Sequence, residues 1–64
     1  MIKTVYRWSN GMVMVFDAKG EQVPQYQGRY EDMKDAILKD APPDAVFFHA
    51  KWQEDQTPVS REGW

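Results

Sequence analysis

The chain holds one histidine and no cysteine among 64 residues, so proton transfer near neutral pH would fall to His49. His49 sits in the aromatic run Ala45-Val46-Phe47-Phe48-His49-Ala50-Lys51-Trp52, with no acidic or nucleophilic neighbour in the run. A general base needs a group to activate and a partner to orient it, and this pattern supplies neither. A sheet-face histidine bonded to nearby groups is the simpler expectation, so no catalytic residue is assigned and no enzyme is expected. Asp17 and Glu21 face each other across a turn and could hold a divalent cation. The loop lacks the alternating acidic ligands of a calcium site, and an Asp that opens a turn by bonding its own backbone explains the pattern. Gly28, before a helix, could admit a phosphate. One glycine is not a phosphate loop, and Glu31 and Asp32 just after it would repel an anion. No metal and no cofactor follow.

Two turn signals position what remains. Asn10-Gly11 suits a two-residue type I′ hairpin turn, in which both central residues take positive φ. Asp17-Ala18-Lys19-Gly20 suits a type I turn closed by a left-handed glycine and a bulge. Around them, residues 2–8, 12–17 and 21–26 read as strands. Pro24 places the third at an edge, since proline cannot donate to the ladder. Residues 27–29 form a connection. Tyr30, Met33, Ile37 and Ala41, widened by Ala36 and Leu38, make the apolar stripe of a helix over residues 30–41. Glu31 and Asp32 in its first turn and Lys39 in its last suit the helix dipole. Pro42 and Pro43 end it. No good N-cap residue precedes Tyr30, so its start is weakly defined. Residues 45–52 form a fourth strand, 53–58 a polar loop, and 60–64 a capped final turn or a loose tail.

The expected fold is α+β over residues 1–64 as one small domain, with 53–64 as a polar tail. Its four-stranded, mostly antiparallel sheet follows β-β-β-α-β in the order 3-2-1-4, with one helix on one face. A two-residue turn at Asn10-Gly11 sets Trp8 opposite Val13 and Tyr6 opposite Val15, and the second turn sets Val15 opposite Val23. One face then carries Ile2, Tyr6, Trp8, Val13, Val15 and Val23. The other carries Lys3, Val5, Arg7, Met12, Met14, Phe16 and Tyr26. Because lysine and arginine are almost never buried unpaired, Lys3 and Arg7 mark the second face as open, and Phe47, His49 and Lys51 join it. The helix is expected on Tyr6, Trp8, Val13, Val15, Phe48 and Trp52. A one-residue slip would exchange the two sets.

The candidate interaction face is therefore Lys3, Arg7, Met12, Met14, Phe16, Tyr26, Phe47, His49 and Lys51. Its methionines and aromatics suit a protein partner or a second copy of the chain. The same aromatics beside cations also suit stacking of unpaired bases. Net charge of −2 and a pI near 5.1 argue against a general nucleic-acid binder. The competing occupant is the chain's own end, with Val59 and Trp64 folded back over the face. Without cysteine there is no disulfide framework, so packing or self-association must stabilise the chain. There is no run of about twenty apolar residues, and no signal-peptide core follows Met1. An intracellular, cytoplasmic protein without membrane contact is expected.

Tyr6-Arg7-Trp8-Ser9-Asn10, Val13-Met14-Val15-Phe16-Asp17 with Gly20-Glu21-Gln22, Gln27-Gly28-Arg29-Tyr30-Glu31, and Phe47-Phe48-His49 with a Trp shortly after resemble a group of short, uncharacterised bacterial proteins. The resemblance covers nearly the whole chain. It implies a bacterial or phage-related source and carries no activity, ligand or site.

Overall fold

The computed structural model describes residues 1–51 and 55–64. Among them, five strands and one α-helix form an α+β fold: β1 (Thr4–Trp8), β2 (Met12–Phe16), β3 (Gly28–Arg29), α1 (Tyr30–Asp40), β4 (Val46–Ala50) and β5 (Gln56–Val59). The sheet is mixed, in the order β3-β2-β1-β4-β5. Only β1 and β4 lie parallel as neighbours; the other three pairs are antiparallel. The expected placement of β4 beside β1 holds. The fifth strand was not expected, because Gln56-Thr57-Pro58-Val59 is polar and carries a proline, both of which an edge strand tolerates.

The register of the first hairpin differs from the expected one by a residue. Val5 pairs with Val15 and Arg7 with Val13. Gly11 N–H donates to the Trp8 carbonyl at 3.0 Å, and Gly11 has φ 88° while no non-glycine residue has positive φ. Asn10 therefore does not adopt the left-handed conformation that a type I′ turn requires. Instead its Oδ1 accepts the Met12 N–H at 3.0 Å, and the loop closes over three residues with glycine at the left-handed position. The second turn follows expectation: Gly20 has φ 82°, its N–H donates to Asp17 O at 3.0 Å, and Val23 N–H donates to Val15 O at 2.8 Å.

Strand pairing after that turn stops at an isolated bridge between Phe16 and Gln22. Pro24 then starts a 3-10 turn over Pro24–Tyr26, where its missing N–H costs nothing. The expected third strand is thus replaced by this turn, and the edge pairing passes to Gly28 and Arg29, opposite Val13 and Met12. Gly28 (φ 147°) lets Met33 approach: an added Cβ would lie 3.3 Å from its Cγ. The helix has no side-chain N-cap. Its first residue is anchored from outside, by Tyr30 N–H donating to the Gly11 carbonyl at 2.8 Å.

One core lies between α1 and the sheet. It contains Ile2, Val5, Val13, Val15, Ile37, Ala41, Phe47 and Trp64, with Tyr26, Tyr30, Met33 and Leu38 packed at its margin. Ala36, expected on the apolar stripe, is exposed. The end of the chain completes this layer. Trp64 is 3% exposed and packs edge-on against Phe47 (5.0 Å, 63°) and Tyr30 (5.1 Å, 71°). Arg61 donates to the Ala41 carbonyl at 3.0 Å and to the Pro42 carbonyl, just past the last residue of α1. Its guanidinium lies 5.0 Å from the centre of the Phe47 ring. Gly63 N–H donates to Ser60 Oγ at 3.1 Å and closes the final turn.

An 11-residue helix cannot cover this sheet alone, so Trp64 fills volume that would otherwise open to water. Trp64→Ala is expected to cost about 3–5 kcal/mol, against a total of roughly 3–10 kcal/mol for a chain of this size. Urea unfolding followed by circular dichroism should show Trp64→Ala largely unfolded or with a much lower midpoint. Met12→Ala, at an exposed position, should stay within about 0.5 kcal/mol of the parent.

Candidate functional site

Alternation from the observed register divides the sheet. Val5 and Arg7 of β1, Val13 and Val15 of β2, and Phe47 and His49 of β4 face the helix; Thr4, Tyr6, Trp8, Met12, Met14, Phe16, Val46 and Phe48 face away. The β2 half of the expected division therefore stands, while β1 and β4 exchange sides. Met12, Met14 and Phe16 lie on the open face as expected. Arg7, Phe47 and His49 do not, and Tyr26 packs beside the core. Tyr6, Trp8 and Phe48 take their places. The expected position of Trp52 under the helix lies outside the described residues.

The cations misled because each finds a partner at a margin of the covered face. Lys3, just before β1, pairs with Asp44 at 3.3 Å. Arg7 lies with its guanidinium carbon 3.6 Å from the centre of the Tyr30 ring, and its Nη1 donates to the Trp64 main-chain oxygen at 2.8 Å. His49 Nε2 lies 3.2 Å from that same oxygen, consistent with a proton on Nε2. The partners that expose or stack a cation come from residues 44, 30 and 64, far from it in sequence. Lys51, past the end of β4, is exposed.

The open face is a continuous aromatic and methionine surface. Tyr6 is its centre. It stacks on Phe48 (centroids 5.0 Å, 15°), lies near-parallel to Trp8 (6.1 Å, 25°) and meets Phe16 edge-on (5.8 Å, 86°). Tyr6, Trp8, Met14, Phe16 and Gln56 line a shallow depression of about 340 Å³ on it. Met12 and Val46, 40% and 41% exposed, stand at its margins. None of these side chains belongs to the core cluster. Arg29, opposite Met12, is the cation that register places on this side. A three-residue reading of the Asn10-Gly11 turn would have revealed Tyr6, Trp8 and Phe48, because that one choice fixes the parity of β1 and, through it, of β4.

Asp17 bonds its own turn: Oδ1 accepts the N–H groups of Lys19 and Glu21, both at 2.9 Å. The Glu21 N–H, more than that of Lys19, holds its carboxyl below the usual carboxylate value. No group of three His, Asp or Glu side chains that could hold a metal occurs among the described residues, and among them no helix is long and apolar enough to cross a membrane. No protein-family model matches the chain, and no curated protein or solved structure does.

Tyr26 hydroxyl donates to Asp40 Oδ2 at 2.6 Å, joining the 3-10 turn to the last residue of α1. This bond to a carboxylate raises the phenol above the ordinary tyrosine value of about 10. A raised value in the folded chain contributes stability below that ordinary value, and the contribution is lost as pH rises through the folded one. Phenolate absorbance should show one tyrosine titrating late. Asp40→Asn should return it towards the ordinary value; an unchanged titration would mean that the bond is absent in solution.

Proposed function

We propose that this chain is a non-enzymatic association module whose open sheet face packs against the same face of a second copy. The observation that carries the reading is the continuous, half-buried Tyr6, Trp8, Met14, Phe16 and Phe48 surface, which no core residue among the described residues covers. A continuous, partly exposed apolar surface of this kind is characteristic of an interaction site. A second copy suits it because Arg29 lies at its margin and no charge among the described residues lies at its centre, so two faces meet without buried like charges. Two sheets stacked face to face would give a helix–sheet–sheet–helix sandwich with side chains interdigitating about 10 Å apart.

The sheet edges favour face pairing over strand addition. β3 has two residues, and β5 carries Pro58, which has no N–H to donate; both features blunt an edge. Four strands of about five residues present on the order of 300 Å² in plan. Stable complexes bury about 800 Å² per partner, so the association is expected to be reversible, with a dissociation constant in the micromolar to millimolar range. The nucleic-acid alternative loses its main support, since Arg7 and His49 face the helix side and not the aromatic platform.

Sedimentation from about 10 µM to 1 mM should show mass rising with concentration. Met14→Asp, and Met12→Asp at a more exposed position, should each weaken association roughly tenfold or more, since burying an unpaired carboxylate is costly, while circular dichroism stays unchanged. A monomer at every concentration would refute the pairing. Tight binding of a labelled single strand that falls steeply with salt would favour the nucleic-acid reading instead.

A further inference from the structure

The carboxyl ends of β1 and β4 lie at the same edge of the sheet, because the two strands are parallel neighbours. Where parallel strands are neighbours in an open sheet, the region beyond their carboxyl ends is the usual ligand-binding place. Here it is a cleft of about 600 Å³, within the range of small-molecule sites. This cleft is separate from the apolar face in the chemistry of its walls. Among the described residues, Arg7, Ser9, His49, Lys51 and Thr57 line it beside Trp8, with Asp55 as the one carboxylate.

Pairing aligns three of the lining side chains. Arg7 is the register partner of His49 across β1 and β4, and His49 is that of Thr57 across β4 and β5. The three side chains therefore form a row on one face, about 5 Å apart from strand to strand. Arg7 has five N–H donors, and Nη1 is bonded to the Trp64 main-chain oxygen. Arg7 and His49 both line the cleft. Tyr30, lying 3.6 Å under the guanidinium, fixes its plane, and a fixed guanidinium fork matches the two oxygens of a planar or tetrahedral oxyanion. Among the described lining residues, Arg7 and Lys51 against Asp55 leave one net positive charge with His49 neutral, on a chain of net charge −2.

We propose that this cleft is a binding site for the oxyanion of a small ligand, a carboxylate or a phosphoryl group, held by Arg7 and Lys51 with Ser9 and Thr57 as further donors. The Arg7 and Lys51 side chains among its described lining residues disfavour a cation. The Asp55 carboxylate disfavours a polyanion and selects for a group of low charge.

Amide and histidine-ring NMR shifts during titration with inorganic phosphate, and separately with acetate, test the site, with sodium chloride at matched ionic strength as the reference. Saturable shifts at Arg7, Ser9, His49 and Thr57 are expected, with half-saturation on the order of 1–10 mM. Saturation by phosphate alone assigns a phosphoryl ligand, by acetate alone a carboxylate, and by both a shared oxyanion site. Lys51→Met, at an exposed position that should not affect folding, is expected to weaken binding roughly tenfold. Arg7→Lys should weaken it further if the variant folds, and Lys51→Met decides the matter if it does not. Shifts that merely follow sodium chloride, that stay linear, or that keep the same half-saturation in Lys51→Met would overturn the proposal.

Discussion

The three-residue turn at Ser9-Asn10-Gly11 governs the rest of this structure. Gly11 takes the left-handed conformation and Asn10 stays out of it, using its side chain to accept the Met12 N–H. That choice sets the parity of β1 against β2, and β4 inherits it by pairing in parallel with β1. Side chains alternate across a strand, so one residue of slip would move Val5 and Phe47 into water and Tyr6 and Phe48 under the helix. The same turn also fixes the helix, because the Gly11 carbonyl accepts the Tyr30 N–H at the start of α1.

The covered face follows from this register and from the chain end. Val5, Val13, Val15 and Phe47 present a mainly aliphatic surface to Ile37, and the short helix leaves part of it bare. Trp64 fills that part, held by two aromatic contacts and by the Arg7 and His49 contacts to its main-chain oxygen. Arg61 ties the same final turn to the C-terminus of α1. A cation buried without a partner would be costly. Arg7 avoids that cost by standing at the margin, stacked on Tyr30 and bonded to a carbonyl.

Two surfaces of opposite character result. One is the aromatic and methionine face centred on Tyr6, which suits contact with another apolar surface. The other is the cleft beyond the ends of β1 and β4, where strand pairing aligns Arg7, His49 and Thr57. Trp8 lies at the border of both depressions. Their separation reflects the sheet: apolar side chains occupy the middle of the strands on the open side, and polar ones gather where the strands end.

By itself the sequence determined the local elements. Glycine at positions 11 and 20 placed both turns, the stripe from Tyr30 to Ala41 placed the helix, and Pro24 kept the following segment out of the sheet interior, so that β4 lies beside β1. The apolar character of β2 on both sides, Val13 and Val15 on one and Met12, Met14 and Phe16 on the other, was also legible. Tertiary structure decided which side of β1 and β4 joins the core, because the Asn10-Gly11 pair fits two turn lengths and only packing separates them. It decided the fates of Arg7 and Lys3, since their partners Tyr30, Trp64 and Asp44 lie far away in the chain. It decided too that β5 forms, for a polar segment with a proline becomes a strand only when a neighbour such as β4 offers its free edge.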